Sequence, residues 1–366
     1  MQKKILVLTT GKGGGHKSSS DAIKVAILKL NPDIDVNDYD AMKFFPGYTG
    51  EDESGYIAFT TRYRFIWKCF FEFSSFFAGI SNAVLAKPIY KRFKRLIEEY
   101  HPDLILSVHP CFVGSVNNCL ARMKRSIPVY TCIIDLVKHT RLWHDKKCAI
   151  TFVPTLQMHA LLLRKGFKKE QLVHSGFPIS DKFFRATQGE ALKRPCISVL
   201  MVNPCVKGNK ATLELVLAVM KHHVHVTVVT GSDKKLKAYL DTRLANAPNV
   251  AIFGYVRDMD KRLAQADLLI AKAGPNMILE AVKMCVPIII TGCIPGQEEE
   301  NYKYIVPNGY GLKCDSPNEL CDTLEKLLAH DCAMLREMAR NEENCTDLEG
   351  AKIVATHLVN ALCTER

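Results

Sequence analysis

Ala271-Lys272-Ala273-Gly274-Pro275-Asn276-Met277-Ile278-Leu279-Glu280, followed by Val286-Pro287-Ile288-Ile289-Ile290 and then Ile294-Pro295-Gly296-Gln297-Glu298-Glu299-Glu300-Asn301, is the stretch that decides the fold. The apolar run from Asp267 through Ala271 reads as a buried strand, and the Lys-Ala-Gly-Pro turn opens a helix carrying Glu280. A second apolar strand follows, so polar groups arrive at two successive strand ends of a parallel sheet, where open α/β sheets place their ligands. Lys272 and the helix N-terminus suit phosphate. Glu280, one to two turns into the helix, could accept hydrogen bonds from a pair of sugar hydroxyls. The stretch reads as half of a nucleotide-sugar site.

The same alternation extends in both directions. Upstream lie strands at 196–202, 224–230 and 249–253, with helices at 210–220 and 258–266. A last amphipathic helix spans 348–361. The N-terminal half repeats the pattern from a strand at 4–10, and the polar segment 185–195 reads as a linker. At 366 residues the chain exceeds what one core supports. The expected class is α/β, with two Rossmann-like β/α domains whose C-terminal sheet edges face each other across a cleft with room for two substrates. The expected boundaries are 1–185 for an N-terminal acceptor and membrane-binding domain and 186–345 for the donor domain. Residues 346–366 form a C-terminal helix that could pack back toward the N-terminal domain.

In the N-terminal half, the first strand runs into Gly11-Lys12-Gly13-Gly14-Gly15-His16-Lys17 and then a helix. Gly13, Gly14 and Gly15 would let the backbone approach a phosphate at the helix N-terminus. The spacing matches neither a P-loop nor G-x-G-x-x-G with an acidic ribose ligand. His16 is either a solvated residue near a helix cap or a group aimed at substrate as base or oxyanion partner. Strands at 104–109 and 129–134 end in His109 and Asp135, on the same edge as the glycine loop, and Trp143-His144 follows. One carboxylate with His16, His109 and His144 makes an acid/base constellation. Metal ligation is the rival use of these histidines, but they lack the close spacing of helical ligand pairs, so no metal is expected.

Charge is distributed unevenly. Residues 1–190 hold 28 Lys and Arg against 17 Asp and Glu, whereas residues 191–366 hold 21 of each, so the N-terminal half carries the whole excess of +11. That half should face something acidic, a membrane surface or nucleic acid. Residues 44–80 are crowded with aromatics, and Arg62, Arg64, Trp67 and Lys68 are interleaved. The following helix at 82–100 adds Lys91 and Arg92. An aromatic core with a solvated basic face explains each residue singly; together with the charge asymmetry they favour a membrane-surface patch. No nucleic-acid-binding signature is present, so no nucleic-acid partner is expected. No apolar run reaches spanning length, no leader peptide is expected ahead of the first strand, and fourteen cysteines lack C-x-x-C pairing. A cytosolic protein peripherally attached to a membrane, with reduced and mostly core-packed thiols, is expected.

Taken in order, Gly13-Gly14-Gly15-His16, Pro102-Asp103 with Ser107-Val108-His109-Pro110, Asp135 with Trp143-His144, Gly176-Phe177-Pro178, Lys272-Ala273-Gly274-Pro275 with Glu280, and Pro295-Gly296-Gln297-Glu298 with Asn301 span almost the whole chain. This series resembles the monogalactosyldiacylglycerol synthases and the bacterial diacylglycerol glucosyltransferases. It resembles more distantly the undecaprenyl-linked GlcNAc transferase of peptidoglycan synthesis. The resemblance implies a GT-B fold and inverting transfer of a hexose from UDP-glucose or UDP-galactose to the hydroxyl of a diacylglycerol-type lipid, with no bound cofactor. By the same resemblance Glu280 would bind ribose and Tyr255-Val256 would face uracil. Lys272, Ala273, Gly274 and Pro275 would lie at the diphosphate, and Gln297, Glu298 and Asn301 would lie at the sugar side. His16 or Asp135 would deprotonate the acceptor, and His109, Trp143 and His144 would meet acceptor or anionic lipid.

The chain departs from the family where a glycine-rich turn should open the donor domain. It has Asn203-Pro204-Cys205-Val206-Lys207-Gly208-Asn209 instead, with Lys207 a possible substitute for lost backbone donors. Asn276 replaces a small residue after Lys-Ala-Gly-Pro, and the segment between Asp135 and Trp143 diverges. These departures keep two alternatives open: a catalytically degenerate UDP- or lipid-binding protein, and a transferase with a polyprenyl-linked acceptor.

Overall fold

The computed structural model describes residues 2–11, 14–45, 48, 77–183, 196–296 and 298–364. The chain forms two compact units, Met1–Asp181 with Thr346–Arg366, and Lys182–Cys345. Gly13, Gln297, Arg62, Arg64, Trp67, Lys68 and the linker at 185–195 lie outside the described residues.

Unit 1 is built on six parallel strands: β1 (Lys4–Thr9), β2 (Asp35–Asp40), β3 (Leu104–Ser107), β4 (Val129–Cys132), β5 (Ile150–Val153) and β6 (Leu172–His174). Their order is β2-β1-β3-β4-β5-β6. Strands covered on both faces read as continuous apolar runs, and Ile5, Leu6, Val7 and Leu8 of β1 are all fully buried. β2 escapes a pattern-based reading because it is an edge strand of sequence Asp-Val-Asn-Asp-Tyr-Asp, with only Val36 buried. Helices α1 (Gly14–Leu30), α2 (Ala78–Tyr100), α3 (Gly114–Met123) and α4 (Leu156–Arg164) cover the sheet. The first turn of α1 is tied to β2: Lys17 is paired with Asp38 and Asp21, and the Ser20 hydroxyl donates to Asp38.

Unit 2 alternates β7 (Ile197–Val202), α5 (Asn209–Met220), β8 (Val224–Val229), α6 (Lys234–Arg243), β9 (Val250–Phe253), α7 (Met259–Gln265), β10 (Leu268–Lys272), α8 (Pro275–Lys283), β11 (Ile288–Gly292), α9 (Tyr302–Ile305), β12 (Gly311–Lys313), α10 (Pro317–Leu328) and α11 (Ala333–Glu343). The strand order β12-β11-β10-β7-β8-β9, all parallel, is the doubly wound order of nucleotide-binding sheets. The order reverses between β7 and β10, so the loops after these two strands diverge and open a crevice. Asp267, at the opposite end of β10, accepts the Ser198 amide and is a staple between strands rather than a site residue.

The chain then returns to unit 1 as α12 (Gly350–Thr364), which packs along α1 and sets His357 edge-on against Phe152 of β5. The Gly176-Phe177-Pro178 motif receives this return. The Phe177 amide donates to the Asp347 carbonyl at 2.7 Å, the Gly350 amide donates to the Phe177 carbonyl, and His174 meets the Asp347 carboxylate at 2.8 Å. Of the described cysteines, all free, only Cys119, Cys132, Cys148, Cys285 and Cys314 are buried. The expectation of mostly core-packed thiols is therefore corrected: several of the others, such as Cys111, Cys293 and Cys345, fall in loops and short turns outside the packed strand and helix faces.

Candidate active site

In unit 1 the strand order reverses between β2-β1 and β3, and the loops after β1 and β3 carry the two histidines that come together. His16 is the third residue of α1, and its Nδ1 lies 2.7 Å from the Val108 carbonyl oxygen just beyond β3. A carbonyl can only accept, so Nδ1 bears the proton and Nε2 keeps its lone pair. His109 has the opposite tautomer: the Cys111 amide donates to its Nδ1 at 3.3 Å, leaving the proton on Nε2. The two rings stand 4.5 Å apart, tilted by 52°. This edge therefore offers one basic nitrogen and one N–H donor. Burial pushes the His16 imidazole down to about 4, opposed by its bond to Val108, and burial pushes His109 well below its ordinary value, helped by His16. Both rings are neutral near pH 7. His16 is thus a half-buried side chain inside α1 whose Nδ1 is tied to the Val108 carbonyl.

Because the unfolded chain binds a proton on His16 near pH 6.5 and the folded chain only near 4, stability contributed by the neutral ring is full above pH 6.5. It is lost as pH falls toward 4. Thermal melts of His16→Asn should show a shallower loss of stability between pH 6.5 and 4.5 than the wild type; identical slopes would reject this account.

Asp135 follows β4, on the same sheet edge, and is 5% exposed. Trp143, expected at the acceptor, is fully buried and donates its indole N–H to Asp135 Oδ2 at 2.7 Å. Its ring has no free face for a lipid, so its bearing on the site passes through the carboxylate. His144 does not join the other two histidines. It pairs with His139, a residue the sequence reading passed over, at 2.7 Å between the two Nε2 atoms. The expected three-histidine constellation is thus two separate pairs, because the 3₁₀ turn Arg141–Trp143 and the half-buried His139 ring hold His144 to its own loop. Among the described residues no group of three or more His, Cys, Asp and Glu could hold a metal ion.

In unit 2 the loops after β10 and β11 are knitted together. Lys272, the last residue of β10, forms an ion pair with Glu298, whose other oxygen accepts the Ile294 amide at 2.8 Å. Asn301 is 2% exposed and donates its side-chain amide to the Ala273 carbonyl at 2.8 Å. Gly274 caps α8, with Pro275 at its first turn, and a Cβ at Gly274 would come within 2.9 Å of Lys272 Nζ. The lysine passes over the glycine, and a side chain there would have to displace its flexible ammonium tip. Glu280 is 7% exposed on the inner face of α8, and Tyr255 stands 74% exposed beside the half-buried Val256 after β9. The divergent turn after β7 keeps a glycine-like backbone: Asn203 adopts φ 41° and Gly208 φ 105° before α5 begins. Asn is the side chain best able to hold the left-handed region. Thr291 of β11 donates to the Pro204 carbonyl at 2.6 Å, anchoring this turn to the neighbouring strand end.

Two family descriptions match consecutive parts of the chain: "Monogalactosyldiacylglycerol (MGDG) synthase" over residues 16–179, and "Glycosyltransferase family 28 C-terminal domain" over residues 199–354. Over most of its length the chain is thus similar to monogalactosyldiacylglycerol synthases and to other glycosyltransferases of family 28. Similar proteins include a probable monogalactosyldiacylglycerol synthase 2 of Oryza sativa subsp. indica, 27% identical over 93% of this chain and 76% of the relative. A processive diacylglycerol beta-glucosyltransferase of Staphylococcus epidermidis is 27% identical over 89% of this chain and 84% of its own. Among solved structures, MurG of Acinetobacter baumannii aligns with a TM-score of 0.63 at 13% identity, covering 98% and 99% of the two chains. Medicago truncatula UGT71G1, complexed with UDP-glucose, aligns with a TM-score of 0.62 at 13% identity, covering 99% and 98%. At such identity these two establish the fold, GT-B, and no more. The glycine-loop histidine His16 and the Lys272-Ala273-Gly274-Pro275 turn fall at the two strand-order reversals described above. Sequence order alone gave no sign of His139, whose single cue is its spacing of five from His144.

Proposed function

We propose that the chain transfers a hexose, with inversion, from UDP-glucose or UDP-galactose to the hydroxyl of a diacylglycerol-type lipid at an anionic membrane surface. The observation that carries this reading is His16, whose basic Nε2 is fixed by the Val108 bond at the strand-order reversal of unit 1. Glycosyl transfer with inversion needs one group to take the acceptor proton and a single displacement at the anomeric carbon. His16 or Asp135 takes that proton. Burial makes His16 a weak base in the free protein, so its Nε2 is unprotonated and ready to accept near pH 7.

On the donor side, Glu280 accepts from the ribose hydroxyls and the residues after β9 face uracil. Lys272 with the first turns of α5 and α8 compensates the charge developing on the departing UDP. Glu298 and Asn301 shape the sugar side together with Gln297. No ion need bridge these groups for the displacement, since fixed cations and backbone dipoles stabilise the leaving group.

Membrane attachment is supported by α2. Phe77, Ile80, Val84, Lys87 and Lys91 share one face of this helix, and Ile80 and Val84 are 64% and 57% exposed. An apolar end continuing into lysines suits the boundary between acyl chains and phosphates. Lys91 is exposed, whereas Arg92 donates to the Lys43 and Phe45 carbonyls and holds the chain leading out of the 3₁₀ turn Ala41–Phe44. Among the described residues no helix is long and apolar enough to cross a membrane.

A UDP-release screen of both donors against vesicles tests the reading. Release should require diacylglycerol, rise with the fraction of anionic lipid and fall with added salt. Calorimetric UDP binding without release on diacylglycerol, sterol or polyprenyl acceptors would replace the transferase with a UDP-binding protein.

A further inference from the structure

We infer that His139 is a positioning residue for Asp135, acting through His144 and Trp143; the inference rests on the reading of Asp135 as a group that meets the acceptor hydroxyl. The loop from Asp135 to His144 is closed by two side-chain bonds, Trp143 to Asp135 at 2.7 Å and His144 to His139 at 2.7 Å. Between them the backbone is held by one short turn. Thr140 caps the Leu142 amide, the Trp143 amide donates to the Thr140 carbonyl, and the His144 amide donates to the Arg141 carbonyl.

The Val137 carbonyl, which can only accept, favours one direction for the histidine bond. His139 Nδ1 faces the Val137 carbonyl at 3.5 Å and so carries its proton there, leaving Nε2 as the acceptor of the His144 Nε2 proton. The His144 ring is stopped on its other side by an edge contact with Phe167. The residue next to Trp143 is therefore pinned at its side chain as well as its backbone. An indole held in this way keeps the buried Asp135 carboxylate in one rotamer.

The pair acts as a fixed strut rather than a titrating switch. Burial, then His139, Arg141, Lys165 and Lys146, push His144 down to about 3, and burial also lowers His139, so both rings stay neutral through the working range. Two Nε2 atoms in hydrogen-bond contact leave no room for a shared metal ion.

The test is steady-state kinetics with the UDP-sugar and diacylglycerol vesicles on His139→Leu, His139→Gln, Trp143→Phe, Asp135→Asn and the Leu/Phe double variant. Leucine removes the acceptor, whereas the glutamine carbonyl can replace Nε2. His139→Leu should lower kcat about tenfold to a hundredfold, the cost of a misplaced reacting group. The donor KM and melting temperature should stay near wild type, and His139→Gln should recover most of kcat. The double variant should lose no more than Trp143→Phe alone, since both changes break one chain of contacts. Wild-type kcat in His139→Leu, or equal losses of kcat and melting temperature in the Leu and Gln variants, would overturn the inference while Asp135→Asn remains impaired. Full turnover in Asp135→Asn would instead remove Asp135 from the reaction, and the inference with it.

Discussion

Replacing His16 by alanine should lower turnover by about two to four orders of magnitude, the range expected when a positioned general base is removed, while the dissociation constant for UDP stays unchanged. The imidazole and its partner, the Val108 carbonyl, belong to unit 1, whereas the donor-side residues Lys272, Glu280 and Glu298 belong to unit 2. The fold should tolerate the change, because α1 is held independently by Lys17 and Ser20 on Asp38 of β2 and by α12. Turnover equal to wild type would take His16 out of the mechanism, and loss of UDP affinity would make it a donor-binding residue instead. Calorimetry with UDP and single-turnover release on vesicles separate these outcomes.

The second large effect is expected at Glu280. A carboxylate accepting from two ribose hydroxyls makes charge-assisted bonds worth about 1.5–3 kcal/mol each, and about 1.4 kcal/mol corresponds to tenfold in affinity. Glu280→Ala should therefore weaken UDP about a hundredfold or more. Glu280→Gln, which keeps the shape and one acceptor, should fall between. Glu280 is buried on α8 between Leu279 and Ala281, themselves fully buried, so the glutamine variant also guards against a simple packing defect. Unaltered UDP affinity in both variants would show that the nucleotide does not meet this helix.

Several of these residues were readable before any coordinate. Gly15-His16, Lys272-Ala273-Gly274-Pro275 and Glu280 stand where a strand hands over to a helix, and that handover is a local pattern of glycine, proline and apolar period. β10 and β11 are recognisable because strands buried on both faces must be apolar throughout. β2 and β12 are not: edge strands tolerate polar residues, and the short Gly311–Lys313 gives no period to detect. The divergent turn lacks the run of glycines that marks a phosphate cradle in sequence, and only the structure shows that Asn203 and Gly208 both adopt positive φ there.

The sequence by itself determined the class of fold and the strand ends at which chemistry is placed, because each follows from residue type and local spacing. Only the tertiary structure decided which of those residues act together. It paired His16 with His109 but His144 with His139, turned Trp143 inward to Asp135, and joined Lys272 to Glu298 and Ala273 to Asn301 across 26 and 28 residues of chain. These partnerships depend on strand order and loop closure, which bring together groups distant in sequence. A side chain's tautomer and the depth of its burial, and hence its affinity for a proton, exist only once those neighbours are in place.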